Sequence, residues 1–240
     1  DDHLILILDK YTQSLPWESL PSLRERSVSR LPCLSFLRDS LLTLNKNDRG
    51  EVCIPVVNSK NGYYILDADR NLPKTYDRFS SELKCTGWEG TERKIPDKKY
   101  VANKLQEKDI YTYIGHGSSE HVFPTKNLRG IQNCAVALIF GCSSGVLKYE
   151  GECDLDGTVM QYLMAGSTGV LGNLWDVTDK DIDLFTAATF ENWGVQPFHK
   201  GDSGAKCSLS MAISKAREVC RLKYLIGAAP ILYGIPSNIR

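Results

Sequence analysis

Long apolar runs are missing from the sequence. The longest, Leu4–Leu8 and Cys134–Phe140, fall far short of the roughly 20 residues a membrane-spanning helix needs. Neither sign of charge prevails, with 29 Lys and Arg against 29 Asp and Glu. A dedicated nucleic-acid binder would carry a basic excess, so no direct nucleic-acid partner is expected, and no membrane partner either. The eight cysteines (33, 53, 85, 134, 142, 153, 207 and 220) stand singly, without a CxxC pair or a Cys/His cluster. That spacing argues against a secreted disulfide scaffold and against a structural zinc site, and it suits a reducing compartment in which most thiols act as small buried hydrophobes. Asp1 and Asp2 lead straight into a strand-like run, with no basic segment or cleavage site of a signal peptide, as in a domain taken from a longer chain. Neither GxGxxG nor the P-loop spacing occurs, which weakens a phosphate-cradling α/β binding module, the non-enzymatic alternative.

What remains is an ordinary globular composition, 42% hydrophobic and 24% charged over 240 residues, without repeats or an internal linker, so one domain over 1–240 is expected. Apolar runs at Leu4–Leu8, Val52–Val57, Tyr63–Leu66, Ile110–Ile114, Ala135–Phe140 and Gly169–Leu174 predict strands, several apolar on both faces as central parallel strands are. Helical spacing predicts helices over Leu31–Leu44, Asp97–Gln106, Thr158–Ala165 and Thr178–Trp193, with loops at Asn45–Glu51, Cys85–Ile95, Ser118–Thr125 and Gly194–Ala205. Alternation of the two predicts an α/β fold with a mostly parallel sheet flanked by helices.

In Tyr111–Gly117 and in Ala137–Gly145 an apolar strand runs into a glycine followed by a reactive side chain, His116 in one and Cys142 in the other. Open parallel sheets collect functional groups beyond the carboxyl ends of their strands. Residues 117–134, 18 in all, allow a crossover to a neighbouring strand. A thiol and an imidazole at one sheet edge suit a nucleophile with its general acid/base, and the amides of Gly117 and Cys142 are available to a developing oxyanion. Ser143 and Ser144 would support the cysteine turn. A third strand, Gly169–Leu174, is followed by Asp176, Asp179, Asp181 and Asp183 with only Lys180 to offset them. Helix capping at Thr178 accounts for Asp179 and Asp181. It does not account for Asp183, which shares a helical face with Asp179 and would need a cation nearby, such as the guanidinium of a substrate arginine. Asp183 is therefore expected to receive that arginine, with Asp179 second and Asp176 either a third ligand or a brace for the loop. Trp17 and Glu18 read as packing anchors, His121 and His199 as solvated loop residues, and Cys153 as an exposed thiol.

Phe140–Ser144, Tyr162–Gly166 and above all Gly172–Asp183 resemble the catalytic domain of separase, as do Leu15–Pro21, Gly115–Gly117 and Arg221–Pro230. The resemblance covers essentially the whole chain. It implies a caspase-like cysteine endopeptidase with its dyad at His116 and Cys142 and its oxyanion hole at Gly117 and Cys142. It also implies cleavage after arginine in an acidic-x-x-Arg context, with the cohesin kleisin subunit as substrate and a securin-type pseudosubstrate as inhibitor. No cofactor and no metal are implied, and the location would be cytoplasm and nucleus, with spindle or centrosome association. A pseudo-protease scaffold, silent without an upstream region, is the remaining alternative.

Overall fold

The computed structural model describes residues 2–44, 50, 53–148, 156–199 and 207–240. In chain order the elements are β1 (Leu4–Ile7), β2 (Val28–Leu31), α1 (Leu34–Thr43), β3 (Val56–Val57), β4 (Gly62–Leu66), α2 (Pro73–Cys85), β5 (Glu89–Glu92), α3 (Lys98–Glu107), β6 (Ile110–Ile114), β7 (Val136–Ile139), α4 (Thr158–Met164), β8 (Gly169–Asn173), α5 (Asp179–Trp193), α6 (Leu209–Ala216), β9 (Pro230–Gly234) and β10 (Asn238–Ile239). Eight strands form one sheet in the order β1-β2-β9-β8-β7-β6-β4-β5, and β3 pairs with β10 apart from it. Every neighbouring pair in the large sheet is parallel except β8 and β9. The fold is thus α/β with a mostly parallel sheet, and the strands ending near Ile114, Phe140 and Leu174 are adjacent with β7 in the middle.

Period-two alternation splits the strand side chains between two layers. Tyr64, Leu66, Val136, Leu138, Phe140 and Leu171 face the apolar sides of α2, α5 and α6, where Phe79, Phe185, Phe190 and Trp193 are buried. Tyr63, Ile65, Tyr111, Tyr113, Ile139 and Val170 face α3 and α4, against Val101, Leu105, Val159 and Tyr162. Truncating any one of these buried aromatic rings to Ala would cost about 3–5 kcal/mol. The best-buried helix, α5, ends at Gly194, whose φ of 99° is the left-handed geometry that closes a helix without strain.

Several sequence expectations need correction. The helix expected over Leu31–Leu44 is shorter: Leu31 closes β2, and α1 begins at Leu34 after Cys33, whose sulfur accepts the Phe36 amide at 3.4 Å. Pro32 therefore precedes the helix. Of the run expected over Val52–Val57, residues 53–57 are described, and among these only Val56 and Val57 form a strand, outside the main sheet. Part of the Cys85–Ile95 loop is the edge strand β5. The expected loop at Asn45–Glu51 falls outside the described residues except for Gly50, that at Gly194–Ala205 is described over 194–199, and Cys153 falls outside them.

Candidate active site

The carboxyl ends of β6, β7 and β8 share one edge, because the three strands are adjacent and parallel. After β6 the chain makes the sharp Gly115-His116-Gly117 turn, with φ of +62° at Gly117. After β7 it reaches Gly141, where backbone meets backbone: a Cβ at 141 would collide with the Gly117 carbonyl and lie 2.9 Å from that of Gly115. Glycine at 141 thus allows the carbonyls on either side of His116 to rest beside the residue preceding Cys142. His116 is exposed, and its ring has no hydrogen-bond partner among the described residues, while Cys142 is half-buried.

The cysteine turn is fastened to the segment after β8. Ser143 sits at φ +53°, unfavourable for a residue with a Cβ. Its amide donates to the Trp175 carbonyl at 3.1 Å and its hydroxyl to the Asp176 carboxylate at 2.5 Å. The Cys142 thiol donates to the Val177 carbonyl at 3.3 Å, and the sulfur accepts the Val177 amide at 3.4 Å. Underneath, Ser144 donates to the Ile139 carbonyl at 2.8 Å and accepts the Asn173 amide at 3.0 Å, while the Asn173 side chain donates to the Gly141 carbonyl at 2.9 Å. Both serines support the turn as the sequence suggests. Asn173, fully buried and equally part of the brace, was not singled out in the sequence.

The four acidic residues after β8 separate into different roles. Asp176 is engaged with Ser143. Asp181 is buried and accepts the amides of Arg221 and Leu222 at 3.2 and 3.4 Å, so it anchors the segment before β9 and is more than the helix-capping charge expected of it. Thr178 occupies the N-cap position of α5 but makes no side-chain capping bond. Asp179 and Asp183 line a small cavity of about 20 Å³ together with His116, Cys142, Val177 and Thr75. Both also line an adjoining cleft of about 650 Å³ that includes Lys74, Arg78 and Lys180. Asp183 is 6% exposed and accepts one side-chain hydrogen bond, from the Thr75 hydroxyl at 2.9 Å. Burial pushes its carboxyl up to about 6, only partly opposed by the Thr75 hydroxyl and the charge of Arg78, with Asp179 pushing the same way as burial. The chain therefore has its own cation, Arg78, in reach of Asp183.

Thr75 and Arg78 belong to α2, which the sequence reading passed over. The signal was there, in Pro73 at a first-turn position followed by Tyr76, Phe79 and Leu83. The loop histidines are less free than expected: His121 meets the Asp69 carboxylate at 2.8 Å and His199 the Glu191 carbonyl at 2.9 Å. No group of three metal-ligating side chains is gathered among the described residues.

Residues 1–182 match the model of the family described as separin, protease domain. The chain belongs to this family. A separin from Emericella nidulans is 41% identical over 98% of the chain, which corresponds to 12% of that relative's length. The separase–securin complex from Saccharomyces cerevisiae contains a chain that superimposes with a TM-score of 0.89 at 33% identity, covering 100% of this chain and 16% of that one. This separin-family chain thus spans about an eighth of the length of the relative from Emericella. At 14% identity, the Porphyromonas gingivalis RgpB structure shares the fold alone, with a TM-score of 0.61 over 88% of this chain and 56% of that one. No described helix of the separin-family domain is long and apolar enough to cross a membrane.

Proposed function

We propose that the domain is a cysteine endopeptidase that cleaves after arginine in an acidic-x-x-Arg context. The observation that carries this reading is the shared cavity, in which a half-buried thiol, an imidazole and a buried, under-partnered carboxylate line one space at the ends of adjacent strands. Cys142 loses its proton to His116 and attacks the scissile carbonyl. The amides of Gly117 and Cys142 receive the resulting oxyanion. His116 then protonates the leaving amine as the carbon–nitrogen bond breaks, giving a thioester, and activates the water that hydrolyses it to acid and free thiol. Asp183, with Asp179 at the mouth, pairs with the substrate arginine, whose planar fork suits a carboxylate better than the point charge of lysine. Lys74, Arg78 and Lys180 in the adjoining cleft would meet acidic substrate residues.

Family membership supports the cohesin kleisin subunit as substrate. The complex from Saccharomyces cerevisiae supports a securin-type protein as a partner, and a segment of that partner lying along the site as a pseudosubstrate would inhibit the domain. The cytoplasm and nucleus are the compartments that fit these partners, and neither a metal nor an organic cofactor enters the chemistry. Cys142→Ser and His116→Ala should each abolish cleavage of an arginyl peptide, measured by fluorogenic release. Mass spectrometry should map an arginine-containing electrophile to Cys142. Retained cleavage in either variant would refute the dyad, and phosphate-competed binding without labelling would favour a binding module.

A further inference from the structure

We propose that Tyr113 is a positioning residue for His116, an inference that rests on the dyad reading above. In a catalytic pair the base is commonly oriented by a third side chain that accepts from its second nitrogen. His116 has no such partner among the described residues, so its direction must be set through its main chain. Tyr113, the fourth residue of β6, is fully buried, and its hydroxyl donates to the His116 carbonyl at 2.7 Å. The same hydroxyl lies 2.6 Å from where a Cβ of residue 115 would be, so glycine at 115 is what admits it. On the other side the Gly117 carbonyl rests against Gly141. The histidine turn is therefore held between a phenol from its own strand and the backbone that leads to the nucleophile.

The contact is suited to positioning. The phenol is buried, and burial, reinforced by the nearby Asp69 and Asp67 carboxylates, keeps its proton on well above the ordinary tyrosine range. It is thus a donor at every working pH. Further along, His121 meets Asp69, and the Val122 and Phe123 amides both donate to the Ser119 carbonyl, so the far end of the loop is closed independently. Losing the phenol would loosen the turn at His116 without opening the rest.

The test is Tyr113→Phe in the chain, compared with its parent on an arginyl peptide. Losing a hydrogen bond and leaving a carbonyl short of its donor should lower kcat about ten- to thirtyfold. KM should stay within about twofold, since the arginine pocket is untouched, and the melting temperature should move by only a few degrees. Alkylation of Cys142 by iodoacetamide should report the same thiol accessibility as in the parent. Tyr111→Phe is the control, since that ring is stacked between Tyr63 and Tyr162 on the same strand and makes no contact with the histidine carbonyl. It should keep the parental kcat. A parental kcat in Tyr113→Phe would overturn the proposal alone, as would a parallel loss of kcat, KM and thermal stability in both variants. An inactive parent would overturn the dyad reading, and the proposal with it.

Discussion

Two buried acids in this molecule are treated in opposite ways. Glu18, at the β1–β2 side of the sheet, is bonded through both oxygens at 2.7 Å to Nε and Nη2 of Arg30, a guanidinium with no exposed side-chain surface. Arg30 also donates to the carbonyls of Gln13 and Leu15, so neither charge has an unmet need. Asp183, at the other side, is buried almost as deeply and receives one hydroxyl. A saturated pair fixes the course of the chain. A carboxylate left short of partners, beside a cavity that holds a thiol, is poised to accept a cation that arrives from outside.

The contrast can be broken most forcefully from the saturated side. Arg30→Met should destabilise the domain by about 3–5 kcal/mol, because Glu18 would be stranded without water or partner. Chemical denaturation would measure this, and a loss below about 1 kcal/mol would mean that the pair is dispensable. On the unsaturated side, Asp183→Asn should lower kcat/KM for an arginyl substrate by roughly two to three powers of ten, at about 1.4 kcal/mol per tenfold. If Asp179→Asn has that effect and Asp183→Asn does not, the ranking of the two acids is reversed.

Stability should respond to Asp183 with the opposite sign from activity. The folded protein keeps the Asp183 proton up to about pH 6, whereas the ordinary carboxyl loses it near 3.8. Between those values the native state binds more protons than the unfolded chain, so stability declines as pH rises from about 4 to 6 and stays lower above. Asp183→Asn should therefore be more stable than its parent at pH 7 by about 1–3 kcal/mol and equal to it at pH 3. Equal melting curves at both pH values would show that the carboxylate bears no burial penalty. The smallest effect belongs to Asp176, whose exposed bond to Ser143 is worth about 1 kcal/mol. Asp176→Ala should lower kcat three- to tenfold with little change in KM; a large rise in KM for arginine alone would make Asp176 an arginine ligand after all.

How far the sequence could be read follows the same divide. Strands β6, β7 and β8 were legible because they are apolar on both faces, and the reactive residues sit two or three positions past their ends. Strand β2 was not: Val-Ser-Arg-Leu contains a polar and a charged residue, and only the remote Glu18 makes Arg30 a buried one. Strand β5, Glu-Gly-Thr-Glu, lies at a polar sheet edge, and β9 opens with a proline, which a sequence reading takes as the end of an element. The acidic run was recognised, but its division of labour depends on partners far along the chain, Thr75 for Asp183 and residues 221–222 for Asp181. Local patterning cannot carry that information. Helix α2 was missed because its exposed side is so polar, and part of the lining of the proposed arginine pocket was missed with it.

The placement of β9 has a consequence for the order of assembly. Strands β1 and β2 precede the other strands of the large sheet in the chain, yet they join the rest of it only through β9, which is formed by Pro230–Gly234. Until that segment has left the ribosome, the two early strands have no edge to dock on, and β8 keeps an open flank beside the nascent reactive turn. A chain stopped short of residue 230 would hold His116, Cys142 and Asp183 and still lack the strand that joins the two parts of the large sheet, so the proposed activity would wait for the last strand of that sheet.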